Sequence, residues 1–226
     1  MDTTGENALV VLSGGQDSTT CLYWAIDRFG RDNVVTLTFD YGQRHRIELE
    51  CATRIAEHAG VRNVRLPINT FSALGGDALT DSGIPVELGS STSGELPNTF
   101  VPGRNLVFLT FAAAFAYQRG ITQIVAGVAQ TEYSGYPDCR EETILALQEA
   151  LRLGMECDVV IHTPLMHLSK RQTVELARDL GGLPAMALTH TCYNGQRPPC
   201  GRGPACELRA KGFLEAGIDD PLLQSK

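Results

Sequence analysis

Six consecutive residues, Ser13-Gly14-Gly15-Gln16-Asp17-Ser18, set two glycines among hydroxyl and carboxyl groups between an apolar run and a helix-like stretch. Two glycines let the backbone turn sharply and approach a ligand with no Cβ in the way. Ser13 and Ser18 add hydroxyl donors, and the N–H groups that open the following helix carry the positive end of its dipole. Together they make an anion pocket suited to phosphate. The spacing is neither the G-x-x-x-x-G-K-[ST] of P-loop kinases nor the G-x-G-x-x-G of dinucleotide binders. A tight strand-to-helix turn, capped by Ser or Asp, is the competing structural reading.

Three further stretches collect polar and aromatic groups. They are Phe39-Asp40-Tyr41-Gly42-Gln43-Arg44-His45-Arg46, Phe100-Val101-Pro102-Gly103-Arg104-Asn105, and Glu132-Tyr133-Ser134-Gly135-Tyr136-Pro137-Asp138-Cys139-Arg140. Near the C-terminus Cys192, Cys200 and Cys206 crowd into one loop-like segment. In a reducing compartment such crowding reads as metal binding before disulfides. Cys21, Cys51 and Cys157 lie in apolar patterns and read as core thiols, and His58, His162 and His167 as structural.

The elements that must hold these residues alternate in type. Apolar runs rich in Val, Ile and Leu recur at 8–12, 34–39, 64–68, 124–128 and 159–165. Between and after them, 17–29, 46–59, 105–119, 140–153 and 171–180 carry apolar residues at helical spacing. The expected fold is α/β, a Rossmann-like parallel sheet of about five strands with helices on both faces. Ligands of such sheets bind at the carboxyl ends of the strands, where the four polar stretches fall. Residues 69–103 break the rhythm, rich in Gly, Ser, Thr and Pro, and read as a lid or a dimer contact. A chain of 226 residues, 43% hydrophobic, is expected to bury one core. We divide it into a nucleotide-binding domain at 1–188 and a cysteine-rich segment at 189–226.

A formal charge of −7 argues against a nucleic-acid partner. No basic and apolar leader and no apolar stretch of bilayer length stands out, so a cytoplasmic location away from membranes is expected.

SGGQDS after an N-terminal strand resembles the signature of the PP-loop ATP pyrophosphatases. FDYGQRH, NTFVPGRN at 98–105, YSGYPDCR and Thr191-Cys192-Tyr193-Asn194-Gly195 narrow the resemblance to the 7-cyano-7-deazaguanine synthase family of queuosine biosynthesis, from about residue 8 to 217. The resemblance implies that ATP is held by Leu12, Ser13, Gly14, Gly15, Gln16, Asp17, Ser18, Thr19, Thr20, Cys21 and Leu22. It implies Mg²⁺ on the phosphates, 7-carboxy-7-deazaguanine and ammonia as substrates, and a homodimer.

The chemistry then needs positioning and charge neutralisation rather than a protein nucleophile. Asp17 is a candidate for Mg²⁺ or pyrophosphate contacts, and Arg104 and Lys170 for neutralising phosphate or the substrate carboxylate. Phe100, Tyr133 and Tyr136 are candidates for stacking on the deazapurine, and Asp138 for accepting from its guanidine-like edge. The family pattern C-x7-C-x2-C-x2-C binds structural zinc; here Gly203 stands where the third cysteine belongs. Zinc on Cys192, Cys200 and Cys206 is the expectation, with His190, water, another chain or loss of the metal open at the fourth position.

Rival readings are a tRNA thiolase of the same superfamily, for which Cys139 leaves room, an enzyme that stops at the amide or joins another amine, and a nucleotide-binding module without turnover.

Overall fold

The structure is a computed structural model and describes residues 7–43, 46–80, 83–84, 96–130 and 136–224. Strands β1 (Ala8–Val11), β2 (Val34–Asp40), β3 (Arg62–Pro67), β4 (Gln123–Val125) and β5 (Val160–His162) form one sheet in the order β3-β2-β1-β4-β5. Every pairing is parallel, with Ala8 opposite both Val34 and Gln123.

Alternation along β1 sets up the two layers. Ala8, Val10 and Leu12 pack on the helices α1 (Gln16–Phe29) and α2 (Ile47–Ala59), through Leu22, Ala25, Ala52 and Ile55. Leu9 faces the opposite layer. There α4 (Arg104–Tyr117) and α5 (Glu141–Met155) bring Leu109, Ala113, Ile144 and Leu151 to the sheet, and the short α3 (Phe71–Leu74) adds Phe71. Ala8, Leu9 and Val10 have no exposed surface, as expected of a central parallel strand covered on both faces. Helices on both faces of a five-stranded parallel sheet is the architecture that the strand–helix alternation predicts.

Two strands are shorter than their apolar runs. β4 stops at Val125 because the chain must turn past the start of α1; a Cβ on Gly127 would lie 3.0 Å from the Ser18 nitrogen. β5 stops at His162, two residues before Pro164, which has no N–H for a ladder.

The C-terminal part carries more helix than the sequence reading allowed. After α6 (Lys170–Asp179) and α7 (Leu183–Met186), the cysteine-rich stretch runs into α8 (Pro204–Ala216) and α9 (Pro221–Gln224). Phe213 of α8 joins Val174, Ala177 and Met186 in a small satellite core. Arg209 locks this part down: its guanidinium pairs with Asp220 at 2.6 Å and donates to Thr189, Thr191 and the Met186 carbonyl, with almost no exposed surface.

The segment 69–103 falls partly outside the described residues. Its described ends are tied together, Ala78 N–H donating to the Asn98 carbonyl at 2.9 Å. Asp77 is buried there and accepts from Leu79 N–H, Thr80 N–H and the Thr80 hydroxyl. No helix among the described residues is long and apolar enough to cross a membrane.

Candidate functional site

Strand order reverses between β1 and β4, because the chain adds β2 and β3 on one side of β1 and β4 and β5 on the other. The crevice outside the carboxyl ends of these two strands is where such sheets take ligands. A cavity of about 380 Å³ opens there.

Its floor is the loop after β1. Ser13 and Ser18 hydroxyls lie 3.0 Å apart, Ser13 N–H donates to the Ser18 hydroxyl at 3.2 Å, and the Thr19 hydroxyl donates to the Gly15 carbonyl at 2.8 Å. These bonds close the loop on the first turn of α1. Gly14 adopts φ +86°, and its carbonyl accepts from His190 N–H at 2.9 Å. Gln16 is 7% exposed and lines the cavity, yet its Nε2 has no hydrogen-bond partner among the described residues. A buried donor without a partner costs about 1–3 kcal/mol unless a ligand satisfies it.

Across the floor stands Lys170, 153 residues along the chain from Asp17. Its Nζ donates to Asp17 Oδ2 at 2.6 Å. A capping box positions it: the Ser169 hydroxyl accepts from Gln172 N–H while the Gln172 side chain accepts from Ser169 N–H. That fixes the entry of α6 and puts Lys170 in its first turn.

The other end of the cavity is aromatic around one cation. Arg104 opens α4 and donates to the Tyr41 hydroxyl at 3.4 Å, with its guanidinium carbon 5.8 Å from the centre of the Tyr41 ring. Phe108, Tyr136 and Tyr193 continue this wall. Burial pushes the Tyr41 phenol up to about 12 and that of Tyr193 higher still, so both are neutral near pH 7. Leu79, Pro97 and Thr99 show that the described ends of 69–103 form part of the wall. Thr99 and Tyr136 hydroxyls are 2.6 Å apart.

The cavity therefore gathers Leu12, Ser13, Gly15, Gln16, Asp17, Ser18, Arg104, Tyr136 and Lys170 from the residues that the sequence singled out. Others stand elsewhere. Gly14 is pressed against α2, and Thr19, Thr20, Cys21 and Leu22 are fully buried along α1 and do not line the cavity. Phe100 touches the site through Tyr136, ring centres 5.4 Å apart. Asp138 does not line the cavity. It is 4% exposed, and its Oδ2 accepts from Asn105 N–H at 3.0 Å, capping the N-terminus of α4 that Gly103 cannot cap. Tyr133 lies outside the described residues. Cys139 does line the cavity, its thiol accepting from Asn105 Nδ2 at 3.2 Å.

One acidic cavity residue was missed. Glu48, in the first turn of α2, lines the cavity, and burial raises its carboxyl to about 7 although Arg104 pulls the other way. Its signal was the position just after FDYGQRHR, where a carboxylate reads equally well as a favourable charge at a helix N-terminus.

The cysteines form a separate centre. Sulfurs of Cys192, Cys200 and Cys206 all lie within 4.8 Å of one another, with Cys200 and Cys206 3.9 Å apart. Thiolates around a tetrahedral zinc at about 2.3 Å would be about 3.8 Å apart, so the three fit such an ion. Backbone donation from Arg202 lowers the Cys200 thiol to about 7, while burial holds Cys206 well above the usual thiol range. His190 is not part of the cluster: its Nε2 lies 2.8 Å from the Cys192 carbonyl oxygen. Gly203 faces open space.

The family model described as queuosine biosynthesis protein QueC matches residues 7–217. A 7-cyano-7-deazaguanine synthase of Chromobacterium violaceum is 67% identical, over 97% of this chain and 94% of the relative. One from Laribacter hongkongensis is 65% identical over 96% and 94%. Among solved structures, a predicted subunit of tRNA methyltransferase from Methanocaldococcus jannaschii shares the fold, with a TM-score of 0.50 at 16% identity over 77% of this chain and 75% of that one.

Proposed function

The chain belongs to the QueC family of queuosine biosynthesis proteins and is an enzyme, and from that premise we propose that it makes 7-cyano-7-deazaguanine from 7-carboxy-7-deazaguanine and ammonia at the expense of ATP. A carboxylate is a poor electrophile. Its oxygen attacks the α-phosphorus of ATP, pyrophosphate leaves, and the acyl adenylate takes ammonia to give the primary amide and AMP. The amide oxygen then attacks the α-phosphorus of a second ATP, and a second pyrophosphate leaves. Loss of AMP from carbon and of two protons from nitrogen leaves the nitrile.

The observation that carries this reading is one cavity holding Ser13, Gly15, Gln16, Asp17 and Ser18 at one end and Arg104 at the other. The loop suits the phosphates of ATP, and the orphaned Gln16 Nε2 is a donor that a phosphate oxygen would satisfy. Lys170 neutralises the leaving pyrophosphate, and Asp17 takes Mg²⁺ or holds Lys170 until nucleotide arrives. Arg104 receives the substrate carboxylate, and Tyr136 with the neighbouring phenols forms the stacking wall. Cys192, Cys200 and Cys206 hold zinc, which supplies structure to the segment at 189–226 rather than chemistry. The division at 188 remains our reading. Homodimerisation belongs to the same proposal: α4 and α5 leave Phe111, Tyr117, Leu145 and Leu153 exposed.

The test is to incubate the protein with 7-carboxy-7-deazaguanine, ammonium and Mg-ATP and follow products by mass spectrometry. Nitrile with AMP and pyrophosphate is expected. Amide alone would reduce the reading to an enzyme halted half-way, and intact ATP with unchanged deazapurine would overturn it.

A further inference from the structure

A deazapurine of the guanine type presents two donors side by side, the ring N1–H and the 2-amino group. A single carboxylate accepts both in parallel, and no neutral acceptor matches that pair as well. Among the described residues two carboxyls line the cavity, Asp17 and Glu48. Asp17 is tied to Lys170 in the phosphate loop at 2.6 Å. Asp138, which the sequence suggested for the edge, is spent on the Asn105 backbone and stands outside the cavity wall.

Glu48 is differently placed. Among the described residues neither a hydrogen bond nor an ion pair engages its carboxyl. It sits beyond the phosphate loop, and its electrostatic neighbours are Arg104 from α4, Tyr41 after β2, Tyr193 from the C-terminal stretch and Cys51 on its own helix. Tyr41 and Tyr193 line the same cavity, and their rings are flat surfaces on which a planar ligand can pack. A half-buried carboxyl without partners is unfavourable unless a ligand completes it. A second acidic group at the same end would repel the substrate carboxylate, whereas Arg104 beside Glu48 gives this end of the pocket one acceptor for donors and one cation for the anion.

Resting on the proposed deazapurine substrate, we infer that Glu48 is the specificity residue that accepts the N1–H and 2-amino hydrogens of the ligand. Selection then acts on the 2-amino group, and pocket shape alone does not account for it.

The experiment uses 7-cyano-7-deazaguanine, which carries no reacting carboxylate, and the same compound without its 2-amino group, titrated calorimetrically into the parent protein and Glu48→Gln. Mg-ATP binding checks that the variant is folded. The parent is expected to prefer the amino compound by about 10- to 100-fold, the effect of one charged hydrogen bond in a partly closed site. Glu48→Gln is expected to shrink that preference to within about 3-fold, with Mg-ATP affinity kept. Equal preference in both proteins, or a parent that binds the two compounds alike, overturns the inference while leaving the reaction intact. A parent that binds Mg-ATP but neither compound overturns the proposed substrate, and this assignment with it.

Discussion

Gly14 and Glu48 touch backbone to backbone: a Cβ on Gly14 would stand 2.4 Å from the Glu48 carbonyl oxygen and 3.0 Å from the Ala52 nitrogen. The phosphate loop and the first turn of α2 are therefore one packed unit. The two glycines of the loop divide the labour, Gly14 making room for α2 and Gly15 facing the cavity.

Gly14→Ala is accordingly expected to do more than remove flexibility. It adds a clash with backbone atoms that cannot rotate away, at φ +86°, where a side chain is itself strained by about 1–2 kcal/mol. A lower thermal midpoint and at least about 10-fold weaker ATP binding should follow. Gly154→Ala in α5 is the comparison, since a Cβ there meets nothing within 4 Å. That change should leave ATP binding alone and stabilise by about 0.5–1 kcal/mol. Calorimetry and thermal melts on the two variants separate the outcomes.

Lys170 supplies the second prediction. Removing its ammonium in Lys170→Met should slow pyrophosphate release by about 100-fold, as expected of losing one charge-stabilising group. Gly212 of α8 backs the same residue: a Cβ there would lie 3.0 Å from the Lys170 carbonyl oxygen. Gly212→Ala should push the start of α6 and slow the same step by a smaller factor, with the lysine still present. Full activity in Gly212→Ala would show that the α6–α8 contact does not set the lysine's position.

The sheet and its helices were legible because a parallel strand buried on both faces must be a short apolar run, and β1 at Ala8–Val11 is one. The place of the loop at 13–18 on the cavity was legible through the resemblance of SGGQDS to a known signature, since two glycines between a strand and a helix suit a tight turn equally well. Side-chain direction was not legible. Asp138 and Glu48 are both acidic, both near motif residues and both at helix starts, yet one caps a backbone and the other faces the cavity. Which of them does which depends on how α4 meets the Pro137–Cys139 turn, a tertiary fact with no local signature. The same holds for α8, whose Gly203-Pro204 start and cysteine spacing read as loop until Phe213 finds Val174 and Met186.

Glu48 makes the protein's stability depend on pH in an uncommon direction. Its carboxyl goes from the ordinary 4.5 to about 7 in the fold, chiefly through burial, with Arg104 opposing and Tyr41, Tyr193 and Cys51 nearby. Between those values the folded protein holds more proton than the unfolded chain. This group's contribution to stability therefore falls as pH rises through that window. Glu48→Gln, which carries no charge, should be more stable than the parent at pH 8 by about 1–2 kcal/mol after allowance for partial exposure, and gain little at pH 5. Urea melts at the two pH values check this; an equal difference at both would mean that Glu48 is ionised in the fold throughout.

The cysteine centre gives a prediction that depends on one missing atom. Among the described residues Cys192, Cys200 and Cys206 are the cluster that could offer three thiolates, and His190 Nε2 is turned to the Cys192 carbonyl, so a metal held by these three would keep one position for water or another small donor. Gly203 has φ −90° and ψ 155°, a conformation open to any residue, and space where its Cβ would be. Gly203→Cys should therefore close the site without disturbing α8. With Co²⁺ as the probe, the variant should show stronger thiolate-to-metal absorption and at least about 10-fold tighter binding than the parent, and its spectrum should not respond to added imidazole. The parent's spectrum should shift with imidazole, because its fourth position exchanges. If parent and variant give the same spectrum and the same response, residue 203 does not reach the metal, and the fourth ligand comes from elsewhere in the chain or from a second copy.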